Sequence, residues 1–250
     1  MATPQIRTLP IAVRVFPDGV AQEPNRFWRE PEAILIVHTE TCGKKRGLLG
    51  SYRVLLDGEC TDEGLFYNHL SKSTLKTVKK YSNSHRADIA NGRSRPLRLL
   101  TRSEFLKLLY ELAYKSRCLV IGFDLAVHLS RLAFNTASAR GFFEGGFSLG
   151  LWSYTDKEGR ECPNGFRPRI AVKYIDRKRS LIGFTARNSP DQEDLIPVDS
   201  QSGEPKPGYR FPGHFLDART LAHALADELY SLEDACKAFG VNYGPQYATS

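Results

Sequence analysis

Apolar and polar positions alternate most clearly between residues 33 and 70. EAILIVHTE carries a continuous apolar run from Ala33 to Val37, as expected for a central buried strand. LLGSYRVLL follows, then the turn pair Asp57–Gly58, then GLFYNHL. Two alternating runs joined by Asp-Gly predict a hairpin, so this part reads as an antiparallel three-strand meander. An earlier apolar run, IAVRVF, predicts a strand within a lead of residues 1–31.

The period then changes. TRSEFLKLLYELAYKS places Phe105, Leu108, Leu109, Leu112 and Ala113 on one helical face, and Thr101 with Glu104 makes a capping-box pattern. CLVIGF predicts a second buried strand, and a helix is expected over about 126–139 with Leu129, Leu132 and Ala133 on one side. Residues 71–100 have weak periodicity and read as loop with a short helix. FSLGLWSY, PRIAVKYID and RSLIGFTA return to strand character, so 142–187 is expected to form a β-hairpin insertion. Residues 188–213 read as loop. FLDARTLAHALADELYSLEDACKAFG is expected to give two helical pieces, with Ser231 and Asp234 capping the second. The order β-β-β-α-β-α predicts an α/β architecture with a mixed sheet, in one domain over 32–250.

Composition narrows the class. With 250 residues, 41% hydrophobic and 25% charged, the chain suits a globular protein with a substantial core. It holds no apolar run of about 18 residues, so no transmembrane helix is expected. Its N-terminus is a poor signal peptide, interrupted by Arg14 and Pro17. A cytoplasmic location is the expectation. Five cysteines without a CxxC pair suit free thiols in a reducing compartment.

Charge adds a partner class. The net charge is +7, and residues 71–102 hold nine Lys and Arg against Asp88 as the sole acid. Such a cluster favours polyanions through counterion release, so nucleic acid is the expected partner. Lys44, Lys45, Arg46, Lys76, Lys79, Lys80 and Arg131 are the candidate contacts; Arg167, Arg169 and Lys173 add cations in the expected hairpin.

Walker, GxGxxG, GxSxG and HExxH patterns are absent, and two segments are left to carry chemistry. His38-Thr39-Glu40 ends the first buried strand, where alternation points His38 and Glu40 to one side. GFDLAVHLSRLA joins the next strand to a helix, with Asp124 before it and His128 in its first turn. Both segments resemble the proofreading 3′–5′ exonuclease superfamily of the ribonuclease H-like fold, most of all the exonuclease domain of family-B-type DNA polymerases. The family's first motif is Asp-x-Glu; here LIVHTETCG keeps Glu40 and has His38 in the Asp position. Its second motif resembles GFN-x-x-FD-LSRLA; here Asp124 stands where Asn is common and His128 where the metal-binding Asp is expected. FLDARTL and SLEDACKAFG resemble the region before the third motif.

The resemblance implies a ribonuclease H-like mixed sheet flanked by helices, and chemistry on two divalent metals held by carboxylates. Two imidazoles in place of two carboxylates weaken Mg²⁺ binding, because Mg²⁺ prefers oxygen ligands. His38, Glu40 and His128 as catalytic residues, with Asp124 as a fourth metal ligand, suit Mn²⁺, Fe²⁺ or Zn²⁺ better. The helix start near His128 disfavours imidazolium and keeps the ring available as a ligand. Three expectations follow. The first is a degenerate exonuclease-like module that binds single-stranded DNA ends with weak or no hydrolysis. The second is an active exonuclease on a His/Glu/His metal site, and the third is an inactive scaffold for a protein partner. His223 and Asp227, four apart on an expected helix, are a substitute pair for the third motif.

Overall fold

The computed structural model describes residues 31–42, 47–90, 95–185 and 213–241. The strand expected at IAVRVF lies outside these residues, as do Lys44, Lys45 and Arg46. Strands β1 (Ala33–Cys42), β2 (Gly47–Leu56) and β3 (Glu59–Asn68) form the expected antiparallel meander. Asp57 and Gly58 both adopt positive φ, 50° and 81°, which a two-residue hairpin turn needs. Leu35, Val37, Leu48, Tyr52, Val54 and Phe66 point inward from these strands.

Helix α1 (Lys72–Ser84) follows, capped by the Ser71 side chain, which accepts from the Thr74 N–H. The weak periodicity of 71–100 therefore hides a 13-residue helix, whose buried side consists of only Val78 and Ser82. Strand β4 (Arg98–Thr101) adds to β3 in parallel. Helix α2 (Arg102–Leu109) opens with the full Thr101–Glu104 capping box and widens into a π-helical turn over Tyr110–Lys115. Strand β5 (Leu119–Gly122) leads into α3 (Leu125–Leu132).

Three segments differ from expectation. Helix α3 stops at Leu132, whose carbonyl accepts from Arg102 Nε and Nη2 at 3.0 and 2.7 Å. The chain then continues as β6 (Asn135–Ser138) instead of more helix. The expected hairpin insertion is broader: β6, β7 (Phe147–Gly150), β10 (Ile170–Tyr174) and β11 (Ser180–Phe184) make a four-stranded sheet ordered β11-β10-β7-β6. Strands β8 (Ser153–Thr155) and β9 (Glu161–Pro163) form a separate pair. Leu149, Ile170 and Val172 join the same core as the meander, which explains why this sheet packs on the domain instead of standing off it. Finally, His214–Asp217 is a strand, β12, parallel to β5. Helices α4 (Ala218–Ala226) and α5 (Leu232–Ala238) complete the described chain.

The result is an α/β fold with a mixed six-stranded sheet ordered β12-β5-β1-β2-β3-β4, flanked by helices. No helix among the described residues is long and apolar enough to cross a membrane. Phe66 and Phe105 stack at the centre, 3.8 Å apart and within 6° of parallel. A methyl group at Gly50 would collide with the Phe66 ring. Gly50→Ala is therefore expected to cost about 2 kcal/mol through overpacking, read from the urea unfolding midpoint.

Candidate functional site

The site forms where β1 outruns β5. The parallel ladder between them ends at Ile36 and Ile121, leaving His38, Thr39 and Glu40 beyond it. The chain then turns from β5 into α3 through Asp124, held in the left-handed region at φ 65° and ψ 48°. Aspartate tolerates that conformation better than most side chains. Gly122 lets the turn come close: a Cβ there would lie 2.9 Å from the Val37 carbonyl oxygen and 3.4 Å from the His128 ring. His128, in the first turn of α3, thereby lands against the end of β1.

Thr39 faces the core and is fully buried. Its backbone N–H donates to His128 Nδ1 at 3.2 Å, and its hydroxyl lies 3.0 Å from the same nitrogen. An N–H donor at Nδ1 fixes the tautomer: Nδ1 carries the lone pair and Nε2 carries the proton. His128 is itself buried, and its Nε2 has no hydrogen-bond partner. Burial pushes the His128 pKa below the ordinary imidazole value. Neighbouring His38 and Arg131 add to that effect, while the Phe123 carbonyl and the Asp124 carboxylate oppose it.

His38 and Glu40 do share a side of the strand. Their Nε2 and Oε1 are 2.9 Å apart, and the His38 and His128 rings meet edge to face at 4.6 Å. So His38, Glu40 and His128 come together although 90 positions separate His38 from His128 in the sequence. Arg131 donates to the Thr39 carbonyl and lies 4.0 Å from Glu40 Oε2, tying the next turn of α3 to the same strand end.

Asp124 is turned elsewhere. Its carboxylate pairs with Arg219 at 3.2 Å, and its backbone N–H donates to Asp217 Oδ1 at 3.0 Å. Asp217 ends β12, is buried, and also accepts from Arg219 N–H and the Ser180 hydroxyl. Sequence reasoning misses this buried acid as a site residue. Its signal is FLD, an acid closing an apolar run, and a run that short reads equally well as the start of a helix. His223 lies on α4 and Asp227 caps its C-terminal end, 3.7 Å away, with His223 buried.

The donor set does not fit a divalent metal. His128 spends its lone pair on Thr39, Asp124 is paired with Arg219, and only His38 and Glu40 are directed at each other. Among the described residues no group of three His, Cys, Asp or Glu side chains is arranged to hold an ion.

The cations divide into two kinds. Arg131 is a structural clamp. Lys76, Lys79 and Lys80 are exposed on α1, in line with Lys72 at i, i+4, i+7 and i+8. None of these four lysines forms an ion pair with a described residue. Helix α1 starts at the end of β3, on the sheet end where β1 also finishes, because β1 and β3 run the same way on either side of β2.

No family model, curated protein or solved structure matches this chain.

Proposed function

We propose that the chain is a degenerate 3′–5′ exonuclease-like module of ribonuclease H-like type. In this reading it binds nucleic acid, single-stranded DNA ends above all, with weak or no hydrolysis. The observation that carries the reading is the state of His128. The ring stands where the resemblance expects a metal-binding carboxylate, yet its lone pair closes a strand end and its other nitrogen is walled in. A meander extended beside β1 by two parallel strands supports the fold assignment.

The lysine stripe of α1 supports the partner. Helix α1 has no acid in its first turn and a lysine there instead, against the helix dipole. A helix built for its own stability has the opposite charge order. A helix facing a phosphate backbone gains from these lysines, and its first turn, with Lys72, begins at the sheet end where β1 finishes.

Anisotropy titration of a labelled single-stranded oligonucleotide against salt tests this. The triple variant Lys76→Gln, Lys79→Gln, Lys80→Gln is expected to bind about tenfold more weakly, with its log–log salt slope shallower by about 2. Unchanged binding overturns the assignment of α1. A degradation assay with Mg²⁺, Mn²⁺ and Zn²⁺ is expected to show no turnover above background. Robust turnover that depends on His128 overturns the degenerate reading in favour of an active exonuclease. No binding at low salt overturns the nucleic-acid reading in favour of a scaffold for a protein partner.

A further inference from the structure

A second, separate cleft lies on the four-stranded sheet, with a volume of about 240 Å³, walled in part by Phe134, Leu151, Trp152 and Pro163. It shares no residue with the His38 cluster. Arg167 and Arg169 both line it. Pro168 separates them, and the turn closed by the Arg167 N–H on the Asn164 carbonyl brings Arg167 to the same cleft wall as Arg169.

These two guanidinium groups are unusual in their partners. Arg169 is half-buried and donates from Nε to Ser148 Oγ at 2.9 Å, from Nη1 to Asn135 Oδ1 at 2.8 Å and from Nη2 to the Ser148 carbonyl at 2.8 Å. Every one of these acceptors is neutral. One N–H on each terminal nitrogen is left over from the five that a guanidinium carries. Gly150 makes the arrangement possible, since a Cβ there would press on Asn135 and on Arg169 Nη1. Arg167 lies over the Tyr110 ring at 4.0 Å, and its side chain makes no hydrogen bond to a described residue. Neither arginine pairs with a carboxylate among the described residues. Burial draws the Arg169 pKa down, and no acid draws it back.

A half-buried charge held by neutral dipoles is electrostatically incomplete. The fold has oriented one guanidinium by three hydrogen bonds and seated the second on an aromatic face, so little ordering is left for a ligand to supply. Planar guanidinium donors match the oxygens of a phosphate better than they match a spherical halide. The cleft is smaller than sites that enclose a drug-sized ligand, about 300–1,000 Å³. Its apolar walls suit a ring beside the anion.

We infer that this cleft is a phosphate-binding site in which Arg167 and Arg169 hold the phosphate group of a small phosphorylated ligand or of a strand terminus. The inference does not rest on the α1 surface.

The test uses the full chain. Thermal unfolding is followed in inorganic phosphate and in chloride at matched ionic strength, and calorimetry is run with phosphate and with thymidine 5′-monophosphate. Saturable stabilisation by phosphate over chloride is expected. Arg167→Gln should weaken it at least tenfold while the circular dichroism spectrum is unchanged, because that side chain donates no hydrogen bond to a described residue. The Lys76, Lys79, Lys80 triple variant should bind phosphate as the wild type does, which separates this site from the α1 surface. Tighter binding of the nucleotide than of phosphate assigns a nucleotide ligand; equal binding assigns the phosphate group alone. Identical behaviour in phosphate and chloride overturns the inference, as does equal phosphate binding by wild type and Arg167→Gln.

Discussion

His128→Ala is expected to lower the unfolding free energy by about 3 kcal/mol, from the emptied ring volume plus the orphaned Thr39 N–H. His128→Asn sets an amide oxygen near the place of Nδ1 and is expected to lose about 1 kcal/mol less, since an acceptor for Thr39 is kept. Urea unfolding at pH 7.5 measures both. Equal losses in the two variants would show that the hydrogen bond to Thr39 contributes nothing. The same ring makes stability depend on pH. In the unfolded chain it titrates near 6.5, and in the fold burial holds it lower. As pH falls through about 6.5 the unfolded state takes up a proton that the folded state refuses. This contribution is therefore complete above about 6.5 and is lost as pH falls toward the folded value. His214, lowered by burial and by Arg117, acts in the same direction. His128→Asn is expected to flatten the slope between pH 7 and 5 without removing it.

Asp217→Ala is expected to cost about 3 kcal/mol as well. Three donors end on this buried carboxylate: the N–H groups of Asp124 and Arg219, both at 3.0 Å, and the Ser180 hydroxyl at 3.2 Å. They come from the turn before α3, the start of α4 and strand β11, so one side chain joins three elements. Leaving such donors unmet costs about 1–3 kcal/mol each at most, and partial rehydration reduces the sum. Asp217→Asn keeps an oxygen for both backbone donors and is expected to cost about 1 kcal/mol. Similar losses for Ala and Asn would overturn the account, because the bonds to Oδ1 would then bear no load.

Elements with strong local periodicity are legible in the amino-acid order alone. The meander follows from alternation around Asp57–Gly58, and the capping box of α2 from Thr101 and Glu104. Elements defined by distant partners are not. Strand β12 is four residues long and precedes an amphipathic helix, so its pairing with β5 leaves no local period. Strand β6 reads Asn-Thr-Ala-Ser, too polar to separate from a fraying helix, and is a strand because β7 lies beside it. Helix α1 is obscured by its lysines. At the site, strand-end and helix-start positions explain the meeting of His38, Glu40 and His128. Sequence does not say which imidazole nitrogen faces which group. The ladder between β1 and β5 stops at Ile36, and that register hands the Thr39 N–H to His128.

The placement of β12 also sets an order of assembly. Asp124 and Asp217 meet across 93 positions of chain. On the ribosome, β5 emerges long before its outer neighbour, and it must wait with an unpaired edge. Such an edge invites pairing with another chain, the usual route from a slow, non-local topology to aggregates. A chain stopped upstream of residue 213 lacks β12 and leaves that edge of β5 open for good.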